Sequence, residues 1–510
     1  MRALSFVRRL HAMAHVQKLT FPIINKSYEQ PTGLFINNEF VAAKSGKTFK
    51  VSSPLNEEHL CDVQMAEAED VDVAVQAAYK AFKQWKLTEG SERAKLLNKL
   101  ADLIERDREL LSQIESLDNG KSLLCSTFDL GIVISTLRYC AGFCDKKDGR
   151  LVDTGLTHMS YTKREPLGVC GAITPWNFPL MMFAWKIGPA LATGNVVVLK
   201  PASATPLSNL YVCKLVKEAG FPAGVVNVIP GSGRGCGNAI LHHPLVKKVA
   251  FTGSTSVGQG VMAEAAKTIK KVTLELGGKS PNIVFEDCNI EETIQNLITG
   301  IFFNGGEVCC AGSRIYIQAT NPEWYNSFLQ KFKAAVEKLK VGNAFEEGVF
   351  QGAQSTPDQF EEVLKYIEIG KKTSLKLLTG GNRIGSKGYF VEPTVFYDVP
   401  QDSQLTQEEI FGPVAVVLPF KSIDEVIEKA NDSEFGLGSG VHTEDINKAI
   451  YVSDRLEAGS VWINTYNDFH AAVPFGGYKQ SGIGREMGTE AFESYTQVKA
   501  VRAKIRTPVL

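Results

Sequence analysis

Cysteine is scarce in this 510-residue chain, with ten residues and no C-x-x-C spacing among them. At that density they cannot staple a disulfide scaffold, and most are expected to be small buried hydrophobes. The eight histidines form no metal-ligand cluster with them, so metal catalysis is not expected. Neither sign of charge is in excess. The 55 Lys+Arg face 56 Asp+Glu, leaving no global field to hold nucleic acid or an anionic membrane surface. Long apolar runs are also missing. The longest stretch, Leu167 to Leu199, is broken by Pro175, Asn177, Pro179, Lys186 and Pro189. None of it approaches the roughly 18 to 20 residues that a membrane-spanning helix needs. What is present is the composition of a soluble folded body, 44% hydrophobic, 22% charged and 9% aromatic, long enough for two or three packed units.

Acidic residues are absent from the first 28 positions, where Arg2, Arg8, Arg9, Lys18 and Lys26 precede Glu29. The rest then carries 50 basic against 56 acidic side chains. Acid-free, Arg-bearing, helix-compatible text predicts a mitochondrial transit peptide over 1–28 and residence in the matrix; a basic arm on a cytosolic protein is the alternative. Beyond it, alternating residues flank Asn37-Asn38 as in a hairpin. Leu96, Leu97, Leu100, Leu103, Ile104, Leu110, Leu111, Ile114 and Leu117 recur at three- and four-residue steps and predict one long amphipathic helix.

From about residue 168, β-branched runs at 196–200, 225–230, 248–251, 272–275 and 282–285 alternate with helical text at 207–219 and 257–269. Continuous apolar strands separated by helices predict a parallel sheet covered on both faces, a doubly wound α/β unit. A second α/β segment follows over about 280–480, with helical text at 324–339 and strand text at 414–420 and 460–463. The alternating C-terminal run 495–505 predicts an exposed end strand. Two glycine-rich turns, Pro230-Gly-Ser-Gly-Arg-Gly-Cys-Gly237 and Phe251-Thr-Gly-Ser-Thr-Ser-Val-Gly258, lie between a strand and a helix, where backbone N–H groups accept a phosphate. The first departs from the usual dinucleotide spacing, but two such turns in one sheet point to a dinucleotide.

Three further segments carry chemistry. Phe303-Asn-Gly-Gly-Glu-Val-Cys-Cys-Ala-Gly-Ser-Arg314 sets adjacent thiols among small residues. Thr273-Leu-Glu275-Leu-Gly-Gly places a carboxylate at a strand end, and Pro175-Trp-Asn177-Phe-Pro holds an amide between prolines. Taken singly, each also reads as a buried thiol pair, a solvated strand-end acid or a turn amide. Together, TPWNFP, LKPAS, FTGSTSVG, ELGGKSP, CCAGSR, EEIFGP and PFGGYKQSG occur in order between about residues 33 and 501, and the chain thereby resembles the aldehyde dehydrogenase family. The leader and WINTYN at 462–467 are most similar to the mitochondrial acetaldehyde dehydrogenases of yeasts.

That resemblance implies Cys309 as nucleophile, Glu275 as general base, and Asn177 with the Cys309 backbone N–H as oxyanion donors. It implies Trp176 and Lys200 at the adenosine end of NAD or NADP, Gly233 in the first glycine turn, Ser254 near the diphosphate, and Glu409 with Phe411 around the nicotinamide ribose and ring. Ser203 stands where many NAD-using members carry a carboxylate that would repel a 2′-phosphate, so NADP or dual use is expected. Phe178, Met182, Trp185, Phe303, Phe469 and Phe475 would line a tunnel for a small apolar aldehyde such as acetaldehyde. His470 beside Phe469 is expected to be structural.

By the same resemblance, 29–147 with 168–278 form a Rossmann-like dinucleotide-binding domain and 279–485 an α/β catalytic domain. Residues 148–167 with 486–505 form a small discontinuous oligomerisation β element of a homotetramer. Two other classes remain open at this stage: a nucleotide-free thioester-forming hydrolase or acyltransferase, which the glycine turns disfavour, and a non-catalytic scaffold.

Overall fold

β-Branched runs form the centres of two sheets because both of their faces can be buried. The computed structural model describes residues 15–21, 23–373 and 375–506. In the first sheet the strands Lys271–Glu275, Val246–Thr252, Val169–Ile173, Val196–Lys200 and Val226–Val228 lie side by side and parallel. The hairpin Leu34–Ile36/Glu39–Val41 extends one edge, and Asn37 and Asn38 both adopt positive φ in its two-residue turn. Strand order reverses between Val169–Ile173 and Val246–Thr252. The loops leaving those two strands, 174–178 and 253–254, therefore open the crevice where doubly wound sheets take ligands.

The second sheet has seven strands in the order Lys376–Thr379, Thr394–Tyr397, Val414–Phe420, Arg314–Gln318, Pro281–Val284, Gly438–His442 and Ser460–Ile463. It is parallel except at its first edge. A third, antiparallel sheet joins Leu151–Val152, His158–Pro166 and Thr496–Lys504, the last two in register over nine residue pairs. The α/β class and the end strand are as the sequence predicts.

Three boundaries differ. The stripe from Leu96 to Leu117 spans two helices, Gly90–Arg106 and Arg108–Asn119, because Asp107 leaves helical geometry at φ −96° and ψ 16°. The leader expected over 1–28 lies outside the described residues as far as position 14. Its remainder is built into the body: Val16–Thr20 pairs with Ser27–Pro31, Leu19 and Phe21 are buried, and Phe21 stacks on Tyr28 at 4.9 Å. A boundary at 28 would cut that pair apart. The segment expected to stay in the catalytic unit up to 485 instead returns at Gly482–Ile483 to edge the first sheet beside Glu275.

The helix Leu123–Gly142 is long and apolar enough to cross a membrane by length and composition. It packs between other helices, and its Asp129 carboxylate accepts a 2.7 Å hydrogen bond from Lys121, the surroundings of a core helix.

Candidate active site

A cavity of about 490 Å³ opens where the two large sheets meet, between the strand-end loops of the first and the 303–310 loop of the second. After the helix Ile290–Phe302, Asn304, Gly305 and Gly306 all take positive φ, turning the chain sharply so that Val308, Cys309 and Cys310 reach the cavity. Asn304 there is a non-glycine residue in the left-handed region, tolerated because its side chain hydrogen-bonds locally. All ten cysteines are free, and only Cys309 is not buried. Its thiol is held well above the ordinary range, first by its hydrogen bond with Cys310 and then by desolvation. The Cys310 S–H donates to Asn467 Oδ1 at 3.4 Å.

Glu275 ends the strand Lys271–Glu275 and points into the same cavity, buried, with both carboxylate oxygens lacking a hydrogen-bond partner. Burial raises its pKa well above the usual carboxylate range, and the carboxylate of Glu486 adds to the rise. Glu486 in turn pairs with Lys186 beneath the site, and Lys186 Nζ donates to Thr252 Oγ1 at 2.7 Å. Two glycines after Glu275 are required by close approach. A Cβ on Gly277 would stand 2.3 Å from Glu409 Oε2, and one on Gly278 2.3 Å from the Cys309 carbonyl oxygen.

Asn177 precedes the helix Pro179–Ala192, whose proline at the first turn fixes the entry. Its Nδ2 donates to the Glu307 carbonyl at 2.9 Å, which engages one amide hydrogen and leaves the other for a ligand. Cys309, Glu275 and Asn177 thus line one cavity, as do Phe178, Met182, Trp185, Phe303, Phe469 and Phe475. Trp185 meets Phe469 and Phe475 edge-on at 6.0 and 5.5 Å, and Phe303 meets Phe128 at 5.5 Å, giving a wall rich in aromatic edges. His470 lies outside the lining, exposed, and accepts a hydrogen bond from the Ala472 N–H at 3.2 Å.

The residues expected to hold a dinucleotide fall into two groups. Trp176, Ser254, Glu409 and Phe411 line the cavity. Phe411 sits edge-on to Trp176 at 5.3 Å with φ 56°, and the half-buried Glu409 carboxylate accepts the Gly278 N–H at 2.9 Å. Desolvation lifts Glu409 to about 7. Lys200, Ser203 and Gly233 lie apart from that lining, and Trp176 lines it on a loop whose Thr174 N–H donates to the Lys200 carbonyl at 3.1 Å. Lys200 Nζ and Ser203 Oγ converge on the Gly231 carbonyl at 3.1 and 3.0 Å, below the exposed turn Ser232-Gly233-Arg234. An acceptor carboxylate at one end and small glycine-rich turns at the other end of a strand-edge crevice fit a nicotinamide dinucleotide.

Sequence reasoning missed Glu486, Leu124, Phe128, Ile132 and Gln359, the last holding the Phe411 carbonyl at 2.9 Å. Lys186 was visible only as a charge interrupting apolar helix text, which signals a buried partner.

The family model described as "Aldehyde dehydrogenase family" matches residues 40–501. An aldehyde dehydrogenase of Emericella nidulans is 54% identical over 486 residues, 95% of this chain and 97% of that protein. Aldehyde dehydrogenase 1A1 of Gallus gallus is 50% identical, covering 93% and 94% of the two chains. Among solved structures, the NAD+ complex of an aldehyde dehydrogenase from Bacillus cereus is 49% identical at a TM-score of 0.91, covering 93% of this chain and 97% of that one.

Proposed function

The chain belongs to the aldehyde dehydrogenase family and is an NAD(P)-dependent aldehyde-oxidising enzyme; from that premise we propose that it converts small apolar aldehydes of the acetaldehyde kind to acids through a thioester on Cys309. The carrying observation is the pair of unpartnered Glu275 oxygens in the same cavity as the one cysteine that is not buried. A buried carboxylate with no partner is costly unless its chemistry uses it.

Cys309 loses its proton to Glu275, directly or through water, and the thiolate sulfur bonds to the aldehyde carbon. The free Asn177 N–H and the Cys309 backbone N–H stabilise the oxyanion that forms, more strongly than they hold the neutral carbonyl. Bound NAD(P) supplies the hydride acceptor, and Glu409, Phe411, Trp176 and Ser254 would hold its nicotinamide half. Collapse of the oxyanion leaves the acyl group on sulfur. Once the thiol proton has passed from Glu275 to solvent, Glu275 takes a proton from water, the hydroxide adds to the thioester, and the sulfur leaves as a thiolate that takes that proton back, regenerating Cys309 with release of the acid. The aromatic walls contain no cation to read a phosphate or carboxylate on the substrate, which supports an apolar one.

At the other end of the cofactor crevice, Ser203 carries no charge to repel a 2′-phosphate, and Lys200 and Arg234 are cations of the same neighbourhood. These support use of NADP alongside NAD. The acid-free N-terminal text supports import into the mitochondrial matrix, and the likeness to yeast mitochondrial acetaldehyde dehydrogenases supports a homotetramer.

The test is the initial rate of absorbance growth at 340 nm with acetaldehyde and each nucleotide. Wild type should reduce at least one of them, Cys309→Ala neither. Ser203→Glu should lower the NADP:NAD ratio of kcat/KM by about tenfold or more through charge repulsion. A ratio unmoved by that change removes Ser203 from cofactor choice, and a wild type inert with every aldehyde tried defeats the proposal.

A further inference from the structure

Behind the cavity, a buried polar chain ties together the two loops that supply the oxyanion donors. The Glu307 carboxylate, two residues before Cys309, accepts the Ser355 N–H at 2.9 Å on one oxygen and the Ser355 hydroxyl at 2.7 Å on the other. The same hydroxyl accepts from Asn119 Nδ2 at 2.8 Å, and that amide also donates to the Trp176 carbonyl at 2.8 Å, one residue before Asn177. Lys121, two residues on from Asn119, donates to the Asn177 carbonyl at 2.8 Å and stands 4.4 Å from the centre of the Phe178 ring. Asn304 bridges the gap a second time, its Nδ2 lying 3.2 Å from both the Asn177 and Glu307 carbonyls. Glu307, Ser355, Asn119, Lys121 and Asn304 are all buried.

We propose that Glu307 is a positioning residue for the oxyanion: through Ser355 and Asn119 its carboxylate fixes the Cys309 loop against the Asn177 loop. This rests on the nucleophilic reading of Cys309 given above. The geometry favours this role over general packing, since each link ends on a loop that supplies an oxyanion donor. Asn177 Nδ2 itself rests on the Glu307 carbonyl, so a shift of the 305–308 turn carries the donor and the Cys309 backbone with it. A displacement of about 1 Å in such a constellation costs on the order of a hundredfold in rate.

The experiment compares Glu307→Ala, Glu307→Gln and Ser355→Ala in two backgrounds, wild type and Asn177→Ala. Two rates are read: nucleotide reduction with acetaldehyde, and nucleotide-free hydrolysis of 4-nitrophenyl acetate, which needs Cys309, the oxyanion donors and Glu275 but no hydride acceptor. Glu307→Ala is expected to lower kcat about ten- to a hundredfold in both assays, with KM within threefold and nucleotide binding, followed by fluorescence, unchanged. Glu307→Gln keeps an oxygen for the Ser355 N–H and should recover to within about fivefold of wild type. In the Asn177→Ala background the same Glu307 change should cost at least threefold less than in wild type, because the part of its effect that passes through the Asn177 donor is already removed.

Equal losses in both backgrounds, or a folded Glu307→Ala with wild-type rates, overturn the proposal. If Glu307→Ala does not fold, Ser355→Ala and Glu307→Gln carry the same comparison. Ester hydrolysis that depends on Cys309 and Asn177 without nucleotide reduction would defeat the dehydrogenase proposal while leaving this one testable.

Discussion

At the scale of single residues, the site is a set of acids held out of their ordinary ranges, Glu275 and Glu409 by burial and Cys309 first by its hydrogen bond with Cys310. Glu275 and Cys309 are both displaced upward, which favours the protonated form of each, while the proposed steps need the carboxylate and the thiolate. The sign follows. Raising the pH deprotonates both, and kcat/KM should climb through an acid limb lying above the usual carboxylate range. Glu275→Gln removes the carboxylate contribution to that limb and the base for thioester hydrolysis. Its steady-state rate should fall about a hundredfold or more, with a burst of nucleotide reduction near one equivalent per active site in stopped flow. A variant with no burst and an unchanged acid limb would place the base elsewhere. Glu409, lifted to about 7, adds a second group whose charge changes in the working range. A Glu409→Gln profile separates it from Glu275.

At the scale of elements, the site depends on how the helix Pro179–Ala192 is pinned beneath it. Lys186 is wholly buried in that helix and pairs with Glu486 from the segment after the last strand of the first sheet. Removing one partner of a buried pair leaves an uncompensated charge, so Lys186→Met should lose about 3–5 kcal/mol in urea unfolding. The Lys186→Met/Glu486→Met double variant should recover much of it; a double variant as weak as the single would mean that packing, not charge, is at stake. This link also shows what was legible in the text. The strands Val196–Lys200, Val414–Phe420 and Ser460–Ile463 were readable to the residue, because β-branched runs bounded by turns have few other uses. That Cys309, Glu275 and Asn177 share one cavity was readable because their loops carry local, recognisable text. The break at Asp107 was not, since a one-residue interruption hardly disturbs a three-four periodicity. Nor were Glu307 with Ser355, 48 positions apart, or Lys186 with Glu486, 300 apart. Such pairings are fixed by tertiary geometry, and neither partner's neighbours announce it.

At the scale of the molecule, the third sheet leaves one strand edge and several apolar side chains uncovered. Thr496–Lys504 lies at its edge, and Leu151, Met159 and Val498 project from it into solvent, with Leu156 in the adjoining turn 97% exposed. On the first unit, Val257 and Met262 are exposed along the helix Thr255–Ala266. Apolar side chains left out on an unpaired strand edge invite a second chain, and a stable contact needs about 1,200–2,000 Å² of buried surface. The homotetramer proposed above would use these two faces. Val498→Asp places a charge on the edge strand, where desolvation in an interface costs far more than exposure in a free chain. Sedimentation velocity at micromolar concentration should show four-chain particles for wild type and smaller ones for the variant. Because Cys309, Glu275 and Asn177 all come from one chain, the dissociated variant should keep most of its rate per chain at low temperature. Its half-life on warming should shorten, since each chain loses the partner that covered its edge. Unchanged sedimentation of Val498→Asp would move the interface off this sheet and leave the exposed strand unexplained.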